Sequence, residues 1–431
     1  MKVAIIGGTG QMGSWFAHFF KIKGFDVIIS GPDIRIGNEL AKKFNIKYTS
    51  DNKVAAKDAD IVLVSVPIEK TIDVVAEVAP QMKSGALLID TTSVKVTPVK
   101  AMQKFAASGV EIIGMHPMFA PRFPSLKGQV IILTPVNHPT WLDKIKEFFE
   151  KENARVFITT PENNDRMMAV IQGLTHFVYI ASASTIKKLG IDTKESREFM
   201  SPIYELTLDV IARIVGQNPH LYAAIQMQNP NVSEVHKAFI EECLKLQKII
   251  QNKDVKSFVE MMSSAAKHLG NVEEAMRKSD KAVMALNREF EELTKKIGKE
   301  VALRHIYSGT VHVGIIEKVE PEKVFLKSSS GKKIEFRISN IELLSEDAFL
   351  AWKKENLPKI FRDFSVVLPK QVDSEIIQQI ILQSSNKIIS TKILDVYEGS
   401  QIPKDKKSIT IRVEAFGTVN PKILENDVIK L

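Results

Sequence analysis

A histidine, a serine and an arginine stand where this chain could move a proton and hold an acid. His116 lies in the segment His116-Pro117-Met118-Phe119-Ala120-Pro121-Arg122, and Ser93 in Thr91-Thr92-Ser93-Val94-Lys95. Both are expected just past the ends of buried strands, at 111–114 and 86–90. Neutral imidazole accepts a proton near pH 7, which is what an alcohol needs as its hydride departs. Arg213, expected as a buried arginine on a helix, carries a planar fork that pairs with a carboxylate. The nine histidines are scattered, without H-E-x-x-H or Cys/His spacing, so no metal site is expected. Serine-nucleophile catalysis lacks its G-x-S-x-G elbow. What remains is proton removal from a hydroxyl on an anionic molecule.

Such a reaction needs a hydride acceptor, and the first 28 residues are built to hold one. The apolar run Lys2-Val3-Ala4-Ile5-Ile6 reads as a strand buried on both faces. It is followed by Gly7-Gly8-Thr9-Gly10-Gln11-Met12-Gly13, then a helical pattern with Phe16, Phe19 and Phe20. In the G-x-G-x-x-G frame, Gly8 serves the tight turn, Gly10 the approach of backbone to a pyrophosphate, and Gly13 the helix–strand contact. Thr9, Gln11 and Met12 complete the loop, and the diphosphate would sit on the helix N-terminus. The second strand ends Ile29-Ser30-Gly31-Pro32 without the acid that holds NAD ribose hydroxyls. Ser30 and Arg35 are the residues to hold a 2′-phosphate, which leans the choice between NAD and NADP toward NADP. Pro67, closing the strand expected at 59–67, is counted on the same cofactor edge.

Each of these residues also has a bland reading. The glycines can serve a plain strand–helix turn, and Arg35 can face water. His116 can cap a loop, Ser93 can be a helix N-cap, and Arg213 can be one half of a structural ion pair. His176, which follows an apolar helix face, can be a satisfied core histidine.

The elements that must position these side chains alternate strand and helix up to residue 159. That pattern predicts a doubly wound, mostly parallel Rossmann-type sheet, with ligands beyond the carboxyl ends of its strands. From Thr160-Pro161, a cap and first-turn pair, the chain reads as helices to about 299. The helices are expected over 193–216, 232–251, 255–269 and 271–296, after a broad apolar face at 167–181. Strand patterns at 310–316, 323–327 and 333–338 predict a small antiparallel unit. A helix at 346–354 then leads into a last α/β segment. The domains expected are therefore 1–160, 161–299, 300–345 and 358–431.

The 431 residues are 44% hydrophobic and 26% charged, an ordinary folded composition. The single Cys243 excludes a disulfide framework and fits a reducing, cytoplasmic setting. No leader is expected where the first residues already read as strand, and no apolar run of transmembrane length is expected. The net charge of +8 is modest, and residues 301–431 carry 20 Lys and Arg against 17 Asp and Glu, so no basic tail stands out.

Several separated motifs in one order resemble the prephenate dehydrogenase family, over residues 1 to about 300. They are GGTGQMG at 7–13, DTTSVK at 90–95, GMHPMFAP at 114–121, IQGLTHF at 171–177, SPIYELTLDVIARI at 201–214 and PHLY at 219–222. The likeness is greatest to the dehydrogenase half of the enteric bifunctional chorismate mutase–prephenate dehydrogenases. It implies oxidative decarboxylation of prephenate with NAD or NADP in tyrosine biosynthesis, by a homodimer assembled through the helical domain. Arogenate, the amino analogue, is the alternative substrate. By the same resemblance His116 polarises the ring hydroxyl, Ser93 orients that pair, Arg213 binds a substrate carboxylate and His176 lines the pocket. Glu205 departs from the enteric pattern, which has a basic residue there. A second resemblance, over 358–416, is to the ferredoxin-fold anticodon-binding domain of the phenylalanyl-tRNA synthetase β chain. It implies a ferredoxin-like C-terminal domain with an effector, assembly or RNA-binding role; without an apolar run of transmembrane length, no membrane partner is expected.

Overall fold

Apolar runs of four or five residues make the strands of the first sheet. β1 (Lys2–Ile6) leads through the glycine loop to α1 (Gln11–Ile22), β2 (Asp26–Ser30) and α2 (Ile34–Phe44). The short β3 (Lys47–Thr49) and α3 (Asn52–Ala56), neither visible in the sequence pattern, follow. Then come β4 (Ile61–Val64), α4 (Thr71–Val78), β5 (Leu87–Asp90), α5 (Val96–Phe105) and β6 (Glu111–Pro117). β7 (Val130–Pro135), α6 (Trp141–Lys151) and β8 (Arg155–Ile158) complete the layer. This is a computed structural model, and it describes the chain apart from residues 123–124, 138, 386–387 and 418–431.

The eight strands lie in the order β3-β2-β1-β4-β5-β6-β7-β8. Alternate residues point to opposite faces, so Ile5, Leu63 and Ile89 pack with Phe16, Phe20 and Phe149 on one side. Ala4, Val62, Val64 and Leu88 pack with Val75 and Val78 on the other. All neighbouring pairs are parallel except β6 and β7, which are antiparallel and joined without a helix among the described residues. β7 pairs along Ile113–Pro117, with His116 opposite Ile132. His116 is therefore inside a strand and not in a loop beyond one, because antiparallel pairing carries β6 three residues past the expected end.

The helical part begins at α7 (Pro161–Met168), where the Thr160 hydroxyl accepts from the Asn163 N–H at 3.1 Å. A π-helical turn (Ala169–Leu174) joins α7 to α8 (Thr175–Lys188) without a break. Contrary to the sequence expectation, the run Pro161–Lys188 is apolar and long enough to cross a membrane. Its first turn is tied to the sheet domain by the buried polar residues Asn164 and Asp165, while α8 buries no residue. The helix expected over 193–216 is two, α9 (Thr193–Glu198) and α10 (Pro202–Val215). Pro202 clashes with a preceding helical turn but suits a first position, and the Ser201 hydroxyl caps it by accepting from the Tyr204 N–H. α11 (Pro219–Gln228), α12 (Val232–Gln251), α13 (Val255–Leu269) and α14 (Val272–Thr294) follow.

The chain divides into two compact units, Met1–Ser279 and Asp280–Leu431. The second contains an antiparallel sheet of β9 (Glu300–His305), β10 (Val311–Glu320), β11 (Lys323–Lys327), β12 (Lys333–Arg337) and β13 (Ile341–Leu343), in the order β12-β11-β10-β9-β13. β9 and β13 were not legible in the sequence. After α15 (Glu346–Asn356), β14 (Lys359–Pro369), α16 (Ser374–Gln383), β15 (Ile388–Tyr397) and β16 (Lys406–Phe416) form a ferredoxin-like α+β segment with sheet order β14-β16-β15. The end of the expected 358–431 domain lies outside the described residues.

Candidate active site

The glycine loop is fixed by space. Gly7 has φ +84°, and a Cβ there would lie 2.3 Å from the Ser65 carbonyl, so the tight turn falls on Gly7 and not, as expected, on Gly8. Gly8 instead lies against Ile29, where a Cβ would meet its side chain at 2.5 Å. A Cβ on Gly13 would meet the Gly7 carbonyl at 2.3 Å, which is the close helix–strand packing expected of it. Gly10 caps α1 without a side chain, leaving the first N–H groups of the helix open. Those groups, with exposed Gln11 and half-buried Thr9 and Met12 around them, fit a dinucleotide diphosphate.

The tip of β2 corrects one expectation. The Ser30 hydroxyl is buried and donates to Asn52 Oδ1 at 2.8 Å, so it does not face a ligand. Asp33 caps α2 by accepting from the Ile36 N–H, and Tyr48 donates to the Gly31 carbonyl at 3.0 Å. Arg35 remains exposed and pairs with Glu39 one turn on, at 2.9 Å. Pro67 is exposed beyond β4, its carbonyl accepting from the Thr71 hydroxyl.

At the end of β5 the structure holds a buried charge cluster that sequence reasoning missed. Lys95 and Asp90 are both fully buried, and the Lys95 ammonium bonds Asp90 Oδ2 and donates to the Met115 carbonyl at 2.9 Å. Burial pulls the Lys95 pKa down, while Asp90 and then Asp165 oppose it. Asp165, on α7, accepts from the backbone N–H of Lys95 (2.7 Å) and of Val96 (3.0 Å). It thus caps α5 from another element, a position the sequence reading offered to Ser93. Burial raises the Asp165 pKa, against those two N–H groups and Asn164. Ser93 is tied in by its carbonyl, which accepts from Asn164 Nδ2 at 3.1 Å. The described contacts do not join its hydroxyl to His116.

His116 lies next in the chain to that Lys95-bonded carbonyl and is 2% exposed. Its pKa is pushed down to about 3 by burial and then by the Lys95 charge, with the Asn164 side chain opposing. The ring is therefore neutral across the physiological range. Its Nε2 lies 3.5 Å from Gln172 Nε2, on the π-helical turn, and its Nδ1 is buried without a partner. His176 follows one turn later, half-buried, its ring centroid 4.4 Å from that of Tyr222. Burial lowers its pKa to about 4, and its Nδ1 also has no partner, unlike a satisfied core histidine. α11 reaches the sheet domain where Ala224 and Ile225 pack on Val94 and Ile68.

Arg213 is exposed rather than buried. α10 buries Leu208 and Ile211, and two residues beyond Ile211 the helix has turned ~200°. Its charge, and that of exposed Arg122, nevertheless reaches the buried Tyr222 hydroxyl, whose pKa burial raises and the two arginines lower. Among the described residues no carboxylate pairs with Arg213. Imidazole, amide and phenol groups lined by two arginines can hold an acid and take a proton from its hydroxyl.

Three segments of the chain match known families. Residues 16–158 match "Prephenate dehydrogenase, nucleotide-binding domain", 160–264 match "Prephenate dehydrogenase, dimerization domain", and 356–421 match "Ferredoxin-fold anticodon binding domain". A "probable arogenate/prephenate dehydrogenase" of Methanocaldococcus jannaschii is 44% identical over 437 aligned positions, spanning 100% of this chain and 96% of that protein. The T-protein of Haemophilus influenzae is 28% identical, over 66% of this chain and 71% of its own. Among solved structures, prephenate dehydrogenase from A. aeolicus, in complex with hydroxyphenyl propionate and NAD+, superposes with TM-score 0.52. The identity is 21%, over 62% of this chain and 96% of that one, a likeness of fold.

Proposed function

The chain belongs to the prephenate dehydrogenase family, and from that premise we propose that it oxidatively decarboxylates prephenate to 4-hydroxyphenylpyruvate and CO2, with NAD or NADP. The observation that carries this reading is His116: neutral, buried, with an unpartnered ring nitrogen at the carboxyl edge of the sheet. Bound at the glycine loop, NAD or NADP would supply the hydride acceptor for the ring carbon bearing the hydroxyl. His116 accepts that hydroxyl's hydrogen bond and draws off its proton as the carbonyl forms. Loss of the ring carboxylate as CO2 then returns an electron pair that makes the ring aromatic, and the proton goes back to the phenolic oxygen. Ser93 and His176 flank this pair, and Arg213 holds a carboxylate. The test is kcat/KM with prephenate and with arogenate, each with NAD and NADP. Absence of turnover with all four pairs sinks the proposal.

Arogenate is the second reading, favoured by two observations. The Methanocaldococcus relative's name includes it, and Glu205 is half-buried on the helix of Arg213. For the C-terminal domain we favour an effector or assembly role over RNA binding, since its nearly balanced charge gives little drive toward phosphates.

Two substitutions separate the parts. Arg213→Ala should raise KM for the acid about 30-fold, or about 2 kcal/mol, the low end for a truncated charge pair because Arg213 starts exposed. Arg213→Lys should restore part of that, since ammonium supplies charge without the fork. Unchanged KM with a lowered melting temperature would assign the arginine to structure. Arg35→Ala should weaken NADP binding more than NAD binding, and equal losses would show that Arg35 does not read the 2′ position.

A further inference from the structure

The start of α7 reaches into the sheet domain through a single carboxylate. Asp165 is fully buried, and its Oδ1 accepts from the Lys95 N–H at 2.7 Å and from Asn164 Nδ2 at 3.0 Å. Its Oδ2 accepts from the Val96 N–H at 3.0 Å. A helix start is ordinarily capped by the side chain just before it. Lys95 fills that position for α5 and gives no such bond, so the cap comes from seventy residues away. The same stretch of α7 grips the loop ahead of α5, because Asn164 Nδ2 also donates to the Ser93 carbonyl at 3.1 Å. Both partners of that nitrogen are acceptors, so the amide sits only one way round. From behind, Asn229 at the end of α11 donates through Nδ2 to the Asp165 carbonyl at 2.7 Å.

On the far side of these bonds lie Ser93 and His116. Lys95 is held at both ends, its backbone N–H by Asp165 and its ammonium by Asp90 and the Met115 carbonyl, the latter at 2.9 Å. Met115 precedes His116 in β6. Hydrogen bonds therefore run from α7 through Lys95 to the strand of His116, and directly from α7 to Ser93. In the other direction α7 continues through the π-helical turn into α8, which carries His176. We infer that Asp165 is a positioning residue, whose carboxylate sets where Ser93 and His116 on the sheet domain stand relative to His176 on the helical one. This rests on the reading of His116 as proton acceptor. A neutral side chain of the same shape is no substitute. An amide offers one oxygen and would turn its own N–H groups toward a donor, a costly pairing in a dry site.

The test compares wild type with Asp165→Asn in the full-length protein, by hydrogen exchange at the Lys95 and Val96 amides and by steady-state kinetics. Loss of the charge-assisted bonds should speed exchange of these two amides about 10-fold or more. A displaced proton acceptor costs rate more than binding, so kcat should fall on the order of 10²-fold. KM for the cofactor should stay at the wild-type value, since other residues build the glycine loop. Kinetics are run well below the variant's melting temperature, where a purely structural role would leave kcat unchanged. If Asp165→Asn does not fold, Asn164→Ala removes the bond to the Ser93 carbonyl and should show the same lowered kcat with cofactor KM unchanged. Unchanged exchange at Lys95 and Val96 in Asp165→Asn, or an undiminished kcat in the folded variant, overturns the inference. The exchange arm needs no substrate. A wild type without turnover would sink the proposed function, and exchange alone would then decide whether Asp165 holds this segment.

Discussion

His116→Asn should lower kcat by ~10²–10⁴-fold while leaving KM for the cofactor near wild type. Asparagine keeps a polar group of similar reach but cannot take the proton, so what is lost is made mainly in the transition state. The cofactor site on the glycine loop is built by other residues and should be untouched. With the ring pKa at about 3, activity should show no acid limb from His116 between pH 8 and 5. Stability should respond differently. The unfolded ring binds a proton near pH 6.5 and the folded ring does not until about 3. Folding therefore loses stability as pH falls through that window. His176, lowered to about 4, adds in the same direction. Undiminished turnover in His116→Asn would place the proton transfer elsewhere.

Lys95→Met should cost about 3–5 kcal/mol of stability, because it leaves Asp90 buried and uncompensated. Asp90 Oδ1 already has no partner, so the carboxylate relies on its other oxygen, which bonds the Lys95 ammonium and the Thr92 N–H. The same variant removes the donor to the Met115 carbonyl, one residue before His116, so turnover should fall as well. Urea unfolding of the purified variant checks the first effect. Lys95→Met combined with Asp90→Leu should recover most of the stability, since the lone buried charge is gone. A cost below about 1 kcal/mol for Lys95→Met would contradict a structural role for this pair.

The Rossmann layer was legible because buried strands and a glycine loop leave local marks. The run Val3–Ile6 is buried throughout, and Gly13 admits no side chain. Errors came where a distant element set the outcome. His116 looked like a loop residue because the antiparallel partner that extends its strand starts at Val130. The alternative reading of Ser93 as a helix cap fails because the group that caps α5 is Asp165, seventy residues away. Lys95 drew no separate notice, since a lysine five residues after an aspartate ordinarily faces water. Arg213 looked buried from its apolar neighbours, but helical rotation puts it opposite Ile211. Gln172 was readable only as part of a motif. The π-helical turn that brings it to His116 leaves no sequence signal of its own.

The most direct measurement is the stoichiometry of products when the purified full-length chain is mixed with prephenate or arogenate and excess NAD or NADP. Reduced cofactor should appear with one equivalent of CO2 for each hydride transferred, and the ring product should be aromatic. In His116→Asn both products should slow together, because neither carbonyl formation nor loss of the carboxylate proceeds without the proton acceptor. Reduced cofactor without CO2, or CO2 release that does not depend on cofactor or on His116, would contradict an oxidative decarboxylation centred on this histidine.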